Sequence, residues 1–170
     1  MPTLTIEAAI IDNGRILLVR DARWPAWRLP GIELADGETP AEALIQALKA
    51  ELGLDVRLGR LLGLYTRPRW RCGGDTTCLF LALIIGSRRQ LDACVDQAQF
   101  FSPRTLPENL FPWCEERIAD AYAGQQRALV RTQDVPWPFA TDDPARVVSS
   151  LVEEGFSERE QALRECLRRL

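Results

Sequence analysis

The pattern of hydrophobic and polar positions begins as strands. Residues 3–11 are rich in β-forming side chains, Asn13 and Gly14 are a strong signal for a two-residue hairpin turn, and residues 15–20 are apolar again. This pattern predicts two antiparallel strands joined by a tight turn. The prolines and the glycine of residues 24–31 then predict a loop that enters a short strand.

The clearest helix follows this loop. Thr39 suits the N-cap, Pro40 suits the first helical position, and Glu42 stands where a capping box places its acid. Gly53 is in the usual position for a helix end. Between these ends apolar side chains recur at helical spacing and predict one core stripe, formed by Ala41, Leu44, Ile45, Leu48 and Leu52.

The next part of the chain alternates strands with a second helix. Strands are predicted over residues 57–65 and 76–85 and near Phe100, and a helix is predicted over residues 113–123. Strands that flank helices indicate an α/β or α+β domain, which ends near Gly124.

Residues 125–170 have a different character. Prolines make residues 135–139 a stiff linker, and two short helices are predicted after it, the second beginning at Ser157. About 45 residues bury too little surface to fold alone. We therefore expect a domain over residues 1–124 and an extension over residues 125–170, whose helices dock on the domain or on a partner subunit. The apolar face of the last helix would also allow a homodimer.

Composition narrows the class of protein. The 170 residues are 46% apolar and 26% charged, which suits one folded domain with a sizeable core. The net charge of −3 argues against duplex nucleic acid as a partner. The longest apolar run, Cys78–Ile85, is too short to cross a membrane, so no membrane partner is expected. Residues 1–4 show no secretory signal, and we expect a cytoplasmic protein.

Histidine is absent, and this limits the chemistry. Imidazole acid–base catalysis and histidine-ligated zinc are excluded. The five cysteines form no CxxC pair, so neither a thiolate zinc site nor a disulfide framework is expected, and buried free thiols are predicted instead. Any metal would be a hard cation on oxygen ligands.

The stretch from Trp27 to Leu54 resembles the signature of the Nudix hydrolases. That signature is a glycine, five residues, a glutamate, seven residues, and then Arg-Glu-aliphatic-any-Glu-Glu-any-Gly-aliphatic. Glu38 takes the place of the first glutamate, Glu51 that of the last, and Gly53 and Leu54 that of the closing pair.

The resemblance extends on both sides of this box. Residues 27–31 match those that usually precede it, and the Phe-Phe … Leu-Pro pattern of residues 100–107 matches the segment before the family's last helix. The resemblance covers roughly residues 3–124. It implies a Nudix-type α/β/α sandwich with a mixed sheet, followed here by the C-terminal helical extension.

The departures fall on chemically important positions. Where the signature has its glycine, its arginine and two glutamates, this chain has Ile32, Gln46, Ala47 and Ala50. Positions 47, 50 and 51 share one helix face. In an intact box carboxylates converge on that face and hold Mg²⁺ or Mn²⁺. Here Glu51 is left with two methyl groups beside it.

The resemblance also implies roles for the residues that remain. In an active enzyme, Glu51 and the carbonyl of Gly31 would be the ligands for Mg²⁺ or Mn²⁺. Glu51 and Glu38 would be the catalytic residues. If the protein has no activity, it needs no cofactor. Replacement carboxylates could come from Glu33, Asp36 or Glu38 in the preceding loop, or from Asp75.

Four side chains are candidate ligand contacts. Arg20 and Arg28 lie near the expected cleft, and Trp27 could stack on a base or else lie at the edge of the core. Arg69 alternates with Arg67 and Arg71, so the three would share a strand face that either clamps a phosphate or is simply solvated.

Two functions remain open at this point. In the first, the protein binds a nucleotide-like or phosphorylated small molecule, or a protein partner, with little or no hydrolysis. In the second, it is an active Mg²⁺-dependent Nudix pyrophosphohydrolase that cleaves a nucleoside diphosphate linked to another moiety and uses non-standard ligands.

Overall fold

The fold is that of a mixed sheet with a helix on each face. The computed structural model describes residues 3–20, 26–70, 73–86 and 97–134. Within these ranges the elements are, in chain order, β1 (Thr3–Asp12), β2 (Arg15–Arg20), β3 (Gly31–Glu33), α1 (Pro40–Leu52), β4 (Val56–Arg67), β5 (Asp75–Ile84), β6 (Gln97–Phe101), α2 (Pro112–Tyr122) and β7 (Leu129–Thr132). The predicted α/β architecture with a mixed sheet is confirmed.

The sheet runs in the order β6-β2-β1-β5-β4-β7, and β3 pairs with β1 beside this path. The pairs β1–β5 and β4–β7 are parallel, while the remaining pairs between the described strands are antiparallel. In the described part of the chain β6 and β7 are therefore the two edges of the sheet. No helix within the described ranges is both long and apolar enough to cross a membrane.

The core consists of two clusters. One contains side chains of α2, including Cys114 and Ile118, with Tyr65 and Leu79 of the sheet. The other packs α1 against β1, and its members include Ile6, Ala8, Ile10, Leu44, Leu48 and Leu52. The predicted stripe of α1 is thus correct at three positions. Ala41 and Ile45 are exposed, and Ala43 is buried in their place.

The local turn signals of the sequence are confirmed. Asn13 and Gly14 both have positive φ, 48° and 72°, as a two-residue hairpin turn between β1 and β2 requires. The capping box is different from the prediction, because Thr39 makes no side-chain hydrogen bond to the helix backbone. Its hydroxyl donates to the Glu42 carboxylate instead, at 2.5 Å.

Gly53 ends α1 in the left-handed conformation, with φ 64°. Its N–H points back to the carbonyls of Leu48 and Lys49. A Cβ in this conformation is strained, so Gly53→Ala is expected to lower the free energy of unfolding by about 1 kcal/mol. Asparagine tolerates the conformation, and Gly53→Asn should lose clearly less in the same urea titration. Equal losses would contradict the strain argument.

A seventh strand of the described sheet lies beyond Gly124, in the segment that the sequence assigns to the C-terminal extension. β7 adds to the edge of β4, and after it the N–H of Gln133 donates to the carbonyl of Thr66 at 2.8 Å. Four β-prone residues between turns are too short a signal to stand out in the sequence. The proline-containing segment 135–139 and the two helices predicted for residues 140–170 lie outside the described residues.

Asp120 of α2 ties β4 and β7 to the helix. It accepts hydrogen bonds from the Tyr65 hydroxyl at 2.9 Å and from Nε and Nη2 of Arg131 at 2.7 and 2.6 Å. Burial alone would raise the pKa of the Asp120 carboxyl, but the hydrogen bonds from Arg131 and Tyr65 outweigh it and hold the pKa below its usual range.

The depressed pKa of Asp120 predicts a pH dependence of stability. The carboxylate stabilises the fold at neutral pH, and this contribution disappears as the pH falls below about 4 and through the lower folded-state pKa. Asp120→Asn should therefore destabilise the protein more at pH 7 than at pH 3. Urea unfolding at the two pH values measures this, and a loss that does not depend on pH would contradict it.

Candidate functional site

The site implied by the signature lies on the last turns of α1. Glu51 and Ala50 are exposed there, and Ala47 is half-buried. The opposite side of the helix is apolar and buried through Leu44 and Leu48. The three signature positions 47, 50 and 51 on this helix therefore carry one carboxylate and two methyl groups.

The acids that precede α1 are exposed, and Glu38 is hydrogen-bonded to Ala35 within the loop. The Glu38 carboxylate accepts the N–H of Ala35 at 3.0 Å, and the Glu38 N–H donates to the Ala35 carbonyl at 3.2 Å. These bonds close the turn that positions the start of α1. Glu33 and Asp36 are exposed as well.

Asp75 forms an ion pair with Arg67 on the face of the sheet opposite to α1. It is buried and accepts two hydrogen bonds from Arg67, the one to Nε being 2.9 Å long. Arg67 in turn lies over the rings of Trp70 and Trp113, at 4.1 and 4.5 Å. Burial lowers the pKa of the Arg67 guanidinium, and the bond to Asp75 opposes this. Both oxygens of Asp75 are thus bonded to Arg67, on the face of the sheet away from Glu51.

Gly31 begins β3 opposite Glu7 of β1. A Cβ at this position would lie 2.4 Å from the carbonyl oxygen of Ile6 and 2.7 Å from Cγ of Glu7. Only glycine fits so close an approach. The requirement for glycine is therefore explained by strand packing, independently of any role of its carbonyl.

At the three signature positions 47, 50 and 51, Glu51 is the one carboxylate that could bind a divalent cation. Across the described ranges, no three or more aspartate, glutamate or cysteine side chains come together in a way that could hold a metal ion. Mg²⁺ needs near-octahedral oxygen ligands and is usually held by one or two carboxylates with substrate phosphates. Glu51 alone, with Ala47 and Ala50 beside it, leaves most of that coordination unfilled.

Three of the four predicted ligand contacts lie together at the end of β2. Arg28 pairs with Val19, the residue before Arg20, through two backbone hydrogen bonds of 2.9 Å. The Arg20 guanidinium lies 5.1 Å from the centre of the Trp27 ring. The backbones of Arg20 and Arg28 thus lie at the same end of β2. Arg28 shares the sheet face of its partner Val19, and Arg20 projects from the other face, over Trp27.

Trp27 is buried, with 6% of its surface exposed. Its ring meets Phe101 of β6 edge-on, with 4.9 Å between the ring centres. Trp27 therefore lies at the edge of the core, which is one of the two positions considered for it. The Arg20 guanidinium lies over the face of its ring. Arg28 is half-buried, and its Nη1 donates to the carbonyl of Leu29 at 3.4 Å.

Arg69 lies elsewhere. β4 ends at Arg67, and the chain turns at residues 68–70, so the expected common strand face of the arginines is wrong. Arg69 is exposed and pairs with Asp134 at 2.6 Å, at the β4–β7 edge of the sheet, whereas Arg20 belongs to the β2–β6 side. Proline 68 is the local reason for the turn. Arg71 lies outside the described residues.

Arg117 is the centre of a buried polar network that the sequence pattern does not indicate. Nη1 of Arg117 donates to both carboxylate oxygens of Glu7 at 2.9 Å, and its Nε and Nη2 donate to Oε1 of Gln133. Arg117 has no exposed surface. Gln133 donates onward to the Trp113 carbonyl at 3.0 Å. The sequence signal was Glu7 itself, an acid among the apolar residues of positions 6–11.

The thiols in the described ranges are free, as predicted. Cys114 is buried, and burial raises its pKa to about 12, so it is not a nucleophile at neutral pH. Cys78 is half-buried, and burial raises its pKa as well. The remaining cysteines, 72, 94 and 166, lie outside the described residues.

Comparison with known proteins adds to this geometry. The family model described as NUDIX domain matches residues 1–121. A Bacillus subtilis protein with the provisional name 8-oxo-dGTP diphosphatase is 30% identical over 124 residues, which are 72% of this chain and 81% of that protein. The ADP-ribose pyrophosphatase of Methanocaldococcus jannaschii is 30% identical over 125 residues, 71% of this chain and 73% of that protein.

A solved structure gives the same result for the fold. The crystal structure of an ADP-ribose pyrophosphatase from Streptococcus suis superimposes with a TM-score of 0.62 at 25% identity. The match covers 78% of this chain and 100% of that structure.

Proposed function

Since this chain belongs to the NUDIX family, we propose that it binds a nucleotide-like diphosphate with little or no hydrolysis. The domain would have kept the scaffold of the hydrolases and lost most of their metal site. One observation carries this proposal: of the three signature positions 47, 50 and 51 on α1, only Glu51 is an acid, and it lies beside Ala47 and Ala50.

The chemistry of that face explains the expected loss of rate. Divalent ions accelerate such reactions by neutralising phosphate charge and by activating water, and they need converging carboxylates to stay in place. Removing a single electrostatic stabiliser of a transition state costs about 10²- to 10³-fold in rate. Two absent glutamates and the absent arginine at position 46 should cost more.

The ligand class follows from the names of the relatives and from the cations at the end of β2. The relatives are named for 8-oxo-dGTP and for ADP-ribose, which share a purine nucleoside with linked phosphates. Arg20 and Arg28 lie at the same strand end, and guanidinium groups bind phosphate oxygens strongly. Without a metal, a guanidinium at this strand end would supply part of the neutralising charge, from Arg20 on one face of the sheet or from Arg28 on the other.

Calorimetric titration of ADP-ribose into the protein in EDTA tests this proposal. We expect binding in the absence of metal, and either Arg20→Gln or Arg28→Gln should weaken it by about tenfold, as the loss of one charge-assisted hydrogen bond does. Arg57→Gln, an exposed arginine of β4, removes the same charge and should change nothing. Binding that requires Mg²⁺, or that ignores all three substitutions, would overturn the proposal.

The second candidate is hydrolysis with substitute ligands. It is favoured by Glu51, which keeps the place of the last glutamate of the signature, and by three exposed acids in and beside the preceding loop, Glu33, Asp36 and Glu38. Metal-dependent turnover distinguishes this candidate from binding alone.

A further inference from the structure

An apolar strip lies on the sheet face that is turned away from α2. Tyr65 and Arg131 are neighbours in the β4–β7 register, and both contact Asp120 of α2. Because side chains alternate along a strand, Leu64 and Val130, the preceding residues on the two strands, project from the opposite face.

The same row continues into β5. Leu64 is paired in register with Val130 on one side and with Cys78 on the other, and Phe80 follows Cys78 on the same face. Val130 is 77% exposed, and Leu64, Cys78 and Phe80 are half-buried. We call these four residues the β7 strip.

Helix α1 covers only the neighbouring part of this face. Its buried residues pack on Ile6, Ala8 and Ile10 of β1, and Cys78 and Phe80 lie at the margin of that cluster. Leu64 and Val130 lie outside it. The strip therefore runs from the edge of the α1 cluster to the free edge of the sheet.

We propose that the C-terminal segment 157–170 packs on the β7 strip as an amphipathic helix. The described chain ends at Asp134, two residues after β7, and 36 residues follow, 135–170. The pattern from Ser157 predicts a helix with an apolar face of Ala162, Leu163, Cys166, Leu167 and Leu170. Fourteen residues make a helix of about 21 Å, which is long enough to cross the three strands β5, β4 and β7.

The small size of the strip favours this occupant over a second copy of the chain. A stable interface between separate molecules buries about 800 Å² on each partner, which four side chains do not provide. A tethered helix needs less contact, because residues 135–156 hold it at a high effective concentration beside the strip.

The reactivity of Cys78 in the complete chain tests the proposal. Labelling with a water-soluble maleimide, followed residue by residue by mass spectrometry, reports how well the strip is covered. In Leu163→Asp/Leu167→Asp, Cys78 should be labelled faster by on the order of tenfold. The matched control Arg164→Asp/Arg168→Asp changes the other face of the predicted helix and should leave the rate unchanged. Buried Cys114 should stay unlabelled throughout and reports that the fold is intact.

A second variant approaches the contact from the sheet. Val130→Asp, at an exposed edge position, should release the segment and speed tryptic cleavage after Arg159 and Arg164 by a similar factor. Equal Cys78 labelling in the parent and Leu163→Asp/Leu167→Asp would overturn the proposal. The proposal would also be overturned if ultracentrifugation showed a dimer and if dilution lost both the dimer and the protection of Cys78. A second copy of the chain would then cover the strip.

Discussion

Arg117→Met should lower the free energy of unfolding by about 3–5 kcal/mol, because it leaves the buried carboxylate of Glu7 without its counter-charge. Both oxygens of Glu7 are bonded to Arg117, and Glu7 is 7% exposed, so water cannot replace the lost donors without opening the fold. Gln133 would lose the two donors that its Oε1 accepts from. Urea unfolding at pH 7 measures the effect.

Two controls separate the ion pair from general effects of the substitution. Arg104→Met removes an exposed arginine and should change stability by less than about 0.5 kcal/mol. In Glu7→Leu/Arg117→Met both charges are gone, and the double variant should be more stable than Arg117→Met alone. A cost of less than about 1 kcal/mol for Arg117→Met would contradict the role given to the pair.

Restoring the signature on α1 should create a metal site. In Gln46→Arg/Ala47→Glu/Ala50→Glu, the two new glutamates and Glu51 place three carboxylates on one helix face. The affinity for Mn²⁺ should then rise by at least about a hundredfold over that of the parent. Electron paramagnetic resonance of free Mn²⁺ measures this directly.

The matched control for charge is Ala41→Glu/Ile45→Glu. It adds two acids at exposed positions of α1 on the other side of Glu51, and it should gain little affinity. Adding Glu51→Gln to the restored variant should remove most of the gain. A restored variant that binds Mn²⁺ no better than the parent would mean that the groove itself, and not only its acids, differs from a hydrolase site.

Local signals account for what the sequence predicted correctly. The hairpin at Asn13 and Gly14, the bounds of β2, and the end of α1 at Gly53 each depend on backbone conformations that a few neighbouring residues dictate.

The missed features depend on contacts between distant parts of the chain. Arginine is usually exposed, so nothing in residues 112–122 marks Arg117 as buried, and its partner Glu7 lies 110 residues away. Arg69 was misplaced for a related reason. Alternation suggested a strand through residue 71, but β4 ends at Arg67, where Pro68 begins a turn. The Arg67 guanidinium lies over Trp70 and Trp113 and is bonded to Asp75, contacts that the alternation does not reveal.

The most direct measurement of the central claim is hydrolysis of ADP-ribose and of 8-oxo-dGTP with Mg²⁺ or Mn²⁺, in the parent and in Glu51→Gln. If α1 has lost its metal site, phosphate-product release should be slow and equal in the two proteins, while ADP-ribose still binds to both in EDTA. Metal-dependent turnover in the parent that disappears in Glu51→Gln would contradict the claim and establish an active pyrophosphohydrolase.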